Sequence, residues 1–115
     1  MESQFGEVIY KYTMKQGIED GILMQNPCNI FEECDALTTN LWDYINERIG
    51  RMVLTTPLEL LEKLMAQAKR IYDNNEFIGD NDRNFFAIKG NNFVKDIWFV
   101  RNENDKLTAM VPEDY

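Results

Sequence analysis

Histidine is absent from this 115-residue sequence. That removes Ser-His and Cys-His nucleophile pairs, histidine general bases and every zinc site with an imidazole ligand. Cysteine is scarce: Cys28 and Cys34 stand six positions apart. They lack the two-residue gap of zinc and redox pairs, and no further cysteine or histidine exists to close a site. No metal or cofactor is expected, and both thiols are expected buried or half-buried and reduced. Basic residues number 12 against 20 acidic, a net charge of −8. Binding to nucleic acid or to an anionic membrane needs clustered Lys and Arg, so neither is expected. No apolar run approaches the roughly 18 residues that span a bilayer. The first ten residues, MESQFGEVIY, have no basic start followed by an apolar stretch. The expectation is no secretory signal and a cytoplasmic location.

Hydrophobic residues make up 44% of the chain and aromatics 12%, which is enough for one ordered domain over residues 1–115. Val8 to Tyr12 reads as a short apolar segment. Thr13, three residues before Gln16, fits a capping box for a helix over Met14 to Asp20, and Gly21 suits the left-handed residue that stops it. Ile22 to Met24 reads as a strand, and Asn26-Pro27 breaks it. Residues 28–38 place Ile30, Phe31, Cys34 and Leu37 at helical spacing, so a helical turn or loop is expected. Thr38 or Thr39 caps a second helix with Leu41, Trp42, Ile45 and Ile49 on one face. Gly50 interrupts that pattern, and Met52 to Leu54 are expected to carry the helix onward. A third helix opens on Thr56, with Pro57 at its first position and Glu59 at its third. Leu61, Leu64, Met65, Ala68, Ile71 and Tyr72 form its apolar stripe, and Asp73-Asn74-Asn75 ends it.

The period then changes. Phe85 to Ile88, Ile97 to Val100 and Leu107 to Val111 are aromatic and β-branched runs, joined by Gly90-Asn91-Asn92 and Glu103-Asn104-Asp105. They predict an antiparallel meander. The expected fold class is α+β: two to three helices packed on a C-terminal antiparallel sheet of three to four strands.

Several stretches invite chemistry. Asp80 to Asn84, DNDRN, begins like a calcium loop, but Phe85 and Asn91 stand where glycine and a bidentate glutamate are needed. Carboxylates are paired at Glu19-Asp20, Glu32-Glu33 and Glu113-Asp114, and adjacent residues diverge rather than converge, so solvated faces are the simpler reading. Trp42 and Trp98 sit inside apolar patterns and are expected in the core. Tyr10 and Tyr12 share an orientation if their segment is extended.

The chain resembles a domain-of-unknown-function family of small acidic proteins encoded in bacterial genomes, plasmids and phages. The family pattern has an N-terminal I-x-x-Y-T-x-x-x-A-x-x-D-G-x-L, a central A-L-T-x-x-x-W and a C-terminal T-x-M-L-P-x-D-Y-like ending. Ile9, Tyr12, Thr13, Asp20, Gly21, Leu23, Leu37, Thr38, Trp42, Thr108, Met110, Pro112 and Asp114 match it. Gly17 and Val111 depart, where alanine and leucine are usual. The resemblance carries a genomic context and no mechanism. Small acidic proteins of mobile elements often act by binding a host protein, and some inhibit restriction or CRISPR nucleases, which is an analogy.

The leading expectation is a non-enzymatic acidic module that binds a protein with a basic surface, of anti-restriction or anti-CRISPR type. It would present Glu19, Asp20, Glu32, Glu33 and Asp35 on one exposed face. A second reading is an enzyme built on Tyr12, Asp20 and Asp114, which needs Tyr12 and Asp20 to converge in a cleft. A third is a homo-oligomer formed through a sheet edge.

Overall fold

The computed structural model describes residues 13–49, 55–89 and 95–115. The segment Val8 to Tyr12 (with Tyr10 and Tyr12), the Gly50 to Leu54 continuation and the Gly90-Asn91-Asn92 turn lie outside the described residues. Among the described residues the order is α1 (Met14–Glu19), β1 (Leu23–Gln25), β2 (Cys34–Thr38), α2 (Thr39–Ile49), α3 (Pro57–Asn74), β3 (Phe85–Ile88), β4 (Ile97–Arg101) and β5 (Leu107–Met110). A 3-10 turn over Pro112–Asp114 closes the chain. The fold is α+β.

The local signals act as their chemistry dictates. Thr13 accepts the backbone N–H of Gln16 at 3.1 Å, and the Gln16 side chain accepts that of Thr13 at 3.3 Å. Gly21 takes φ +75°, and the Ile22 N–H returns to the Gly17 carbonyl at 2.9 Å, closing α1. The Thr38 hydroxyl accepts the Leu41 N–H at 3.2 Å and starts α2. Thr56 and Glu59 form the second capping box, with Pro57 in the first turn of α3. Asn75, at φ 54°, ends it in the left-handed region.

The expected meander is present: β3 pairs antiparallel with β4, and β4 with β5. The sheet is larger than that, with five strands in the order β1-β2-β5-β4-β3. β2 lies parallel to β5, and β1 antiparallel to β2. The extra strand falls in residues 28–38, where a helical turn or loop was expected. The reason is a register irregularity between Cys34 and Ala36. An extra residue on one strand breaks the alternation of faces. Cys34 and Leu37 therefore both enter the helix-side core, three positions apart, and imitate helical spacing.

α2 and α3 cover one face of the sheet. Leu41, Ile45, Leu61 and Leu64 pack there against Leu37, Phe86, Phe99 and Leu107, all with at most 1% exposure. Phe86 and Phe99 stack at 4.9 Å between centroids, on neighbouring strands. The opposite face carries Leu23, Ala36, Thr38, Thr108, Val100 and Met110, which alternate with the helix-side residues along their strands. α1 settles on that second face through Leu23. A Cβ at Gly17 would collide with the Leu23 side chain, so glycine at this position permits the close approach. Trp98 joins Phe85 and Tyr115 on the same face, with ring centroids 5.2 to 5.3 Å apart. Both tryptophans are half-buried at the margins of the packing rather than within it.

Candidate functional site: two acidic clefts

β2 and β5 run parallel, so they have a common starting end and a common finishing end. Four or five residues at about 3.3 Å each separate the two by roughly 13–16 Å. Acidic side chains collect at both ends.

At the starting end, a cleft of ≈ 470 Å³ is lined by Met14, Asn26, Cys28, Glu32, Cys34, Asp35 and Asn104, among others. Asp35, at the irregular point of β2, accepts the side-chain amides of Asn102 at 2.9 Å and Asn104 at 3.2 Å. Asn102 also organises the β4–β5 turn, its Oδ1 accepting the N–H groups of Asn104 and Lys106. Glu33 lies 3.8 Å from Arg101, and Glu103 accepts the Met14 N–H at the start of α1. Both cysteines are free and buried. Burial pushes the Cys34 thiol from 9.0 up to about 12, against the lowering effect of backbone hydrogen bonding at Ala36 and Ala109. A thiol held so firmly protonated is no nucleophile.

At the finishing end, α1 delivers Glu19 and Asp20 next to the start of α2, where the Thr39 hydroxyl donates to the Gly21 carbonyl at 2.8 Å. Asn40 donates to Asp114 Oδ1 at 2.7 Å, while Asp114 Oδ2 is buried without a hydrogen-bond partner among the described residues. Next to them a cleft of ≈ 310 Å³ is lined by Asn40, Asp43, Tyr44, Glu47, Lys95, Val111 and Glu113. The helix supplies positions 40, 43, 44 and 47, one polar stripe opposite the buried Leu41 and Ile45. The Lys95 N–H donates to the Tyr44 hydroxyl oxygen at 3.1 Å, and its ammonium lies 5.4 Å from the Tyr44 ring centroid while bonding Glu113. That bond draws the Glu113 carboxyl below its usual range and lifts Lys95 above its own.

The residues singled out from the sequence thus divide. Glu32, Glu33 and Asp35 gather at one end; Glu19, Asp20 and Asp114 lie at the other. Tyr12 is outside the described residues, and with it the convergence that an enzyme built on Tyr12 and Asp20 would need. Thr13, Gln16, Gly21, Thr56 and Pro57 serve helix boundaries, and Pro112 opens the C-terminal 3-10 turn. Trp42 packs against the edge of the main core. Asp43, Tyr44, Glu47 and Lys95 were not among the sequence candidates. The signal was the i, i+3, i+4, i+7 polar stripe on α2, read only from its apolar side. Among the described residues no three His, Cys, Asp or Glu side chains form a metal-holding group, and no helix is long and apolar enough to cross a membrane. No family model, curated protein or solved structure matches the chain.

Proposed function

We propose that this chain is a non-enzymatic protein-binding module whose acidic ends dock a partner with a basic surface. The observation that carries the reading is the α2 cleft. There Asp43, Glu47 and the Tyr44 ring are set on a packed helix, and the ring together with Glu113 of the C-terminal turn already holds one ammonium group, that of Lys95. Charges arranged in this way steer encounter and fix register more than they add affinity. The division of the carboxylates between two ends supports discrete docking over imitation of a continuous row of phosphates. One of the two sheet edges favours the same reading over self-pairing. On edge strand β3, Phe85 exchanges backbone hydrogen bonds with Asp82, which occupies part of the edge.

The test compares capture of host proteins by the wild type and by two charge-neutralised variants, Asp43→Gln/Glu47→Gln/Glu113→Gln and Glu32→Gln/Glu33→Gln. A captured protein should be released as salt is raised and should be lost from one of the two variants. Equal retention by all three proteins, insensitive to salt, would sink the proposal.

A further inference from the structure

The α2 cleft has an occupant drawn from its own chain. Lys95 enters with its backbone N–H on the Tyr44 hydroxyl and its ammonium against Glu113 and the Tyr44 ring, with Asp43 and Glu47 along the same wall. This is how a lysine side chain is recognised: a carboxylate takes the point charge, and an aromatic face takes the cation and its apolar stem. Among the described residues that line the cleft, Asp43, Glu47 and Glu113 are three carboxylates to the one ammonium of Lys95, and beyond Asn40 the buried Asp114 Oδ2 has no donor among the described residues. The occupant is held at the surface, since the side chains of Lys95 and Glu113 are 43% and 59% exposed. Exposed pairs of this kind are weak and readily exchanged.

We propose that the cleft between α2 and the C-terminal turn is a docking site for a lysine side chain of the basic partner, and that Lys95 is its competitor in cis. This rests on the acidic-module reading and narrows it to one of the two ends and to one side-chain chemistry. A site partly filled by its own chain binds an incoming group with an affinity reduced by the unfilled fraction. For an exposed pair that reduction is roughly two- to fivefold.

The experiment is an amide ¹H–¹⁵N NMR titration with a nine-residue glycine-serine peptide carrying three lysines. Norleucine replaces those lysines in a control peptide. The lysine peptide should shift residues 40–47 and 111–115, and Lys95→Ala should bind it about two- to fivefold more tightly than the wild type. Lys95→Ala/Glu113→Gln should lose that gain, and the norleucine peptide should shift nothing. Lys89→Ala removes the same charge from the exposed pair with Asp96 and should leave the affinity at its wild-type value. The proposal is overturned if Lys89→Ala tightens binding as much as Lys95→Ala, or if Lys95→Ala tightens nothing. Shifts confined to residues 25–35 and 102–106 would also overturn it. That last outcome leaves the acidic-module reading standing at the other end, whereas equal, salt-insensitive capture by both charge-neutralised variants removes that reading itself.

Discussion

Cys34 is 3% exposed, and its Sγ–H points at the Ala36 carbonyl 3.4 Å away. Burial disfavours the thiolate, so the folded-state pKa of about 12 lies above the 9.0 of an exposed thiol. The stability this group contributes is therefore fully present below pH 9.0 and is lost as pH rises toward 12, because the unfolded chain releases the proton first. Above pH 9.0 the loss should approach roughly 1 kcal/mol per pH unit. Urea titrations at pH 7, 9 and 10.5 check it, since Cys34→Ala, lacking the thiol, should fall less steeply than the wild type. Alkylation of Cys34 by iodoacetamide should likewise wait on unfolding. Asp35, one position on, is tied into the turn between β4 and β5. Its carboxylate is met by two amide side chains, which fix the Asn102 turn against β2.

Among the elements, α3 owes its start to three signals within four residues: the Thr56 cap, Pro57 and Glu59 reaching back to the Thr56 N–H at 2.9 Å. Removing the hydroxyl leaves the Glu59 N–H without its acceptor. Thr56→Ala should cost about 1 kcal/mol, seen as a lower urea midpoint with an unchanged slope, and Thr56→Ser should restore most of it. α2 shows how one helix serves both the core and a cleft. Leu41 and Ile45 hold it to the sheet at 0% exposure, which leaves Asp43, Tyr44 and Glu47 on a firmly placed outer face. β2 is the least conventional element. Both its faces are buried, and its irregular step at Asp35 turns a cleft-lining carboxylate out of the ladder.

Over the whole molecule, Arg101 ties together parts that are distant in sequence. Its guanidinium donates to the carbonyls of Arg83 at 2.6 Å and Asp105 at 3.2 Å, to Asn84 Oδ1 at 3.2 Å and to the Tyr72 hydroxyl at 3.4 Å. Glu33 stands beside it. The end of α3, the approach to β3, the β4–β5 turn and the entry to β2 thus meet on one side chain that is 20% exposed. Arg101→Met should lower stability by about 2 kcal/mol, because several polar acceptors lose a charged donor together. Arg101→Lys should recover less than half of that, since a point charge cannot reproduce the planar fork. Equilibrium unfolding followed by tryptophan fluorescence measures both. A loss below 0.5 kcal/mol in Arg101→Met would mean that the contacts are incidental.

The sequence by itself determined the capped helix starts, the stops at Gly21 and Asn75, the meander and the absence of histidine chemistry. Caps, stops and turns are local: Thr13 with Gln16, Gly21, Thr56 with Glu59 and Asn75 each act within a few residues of their own position. The exclusion of histidine chemistry needs only composition. What the tertiary structure decided is pairing and partition. That β2 is a strand at all, parallel to β5, depends on contacts some seventy residues apart and is masked by the step at Asp35. The division of the acidic residues between two ends follows from that pairing, because it sets Glu32 to Asp35 at one end and Asp114 at the other. Lys95 meets Tyr44 for the same reason. Their 51-residue separation carries no local signal, and only the packing of α2 against the sheet brings the ammonium to the ring.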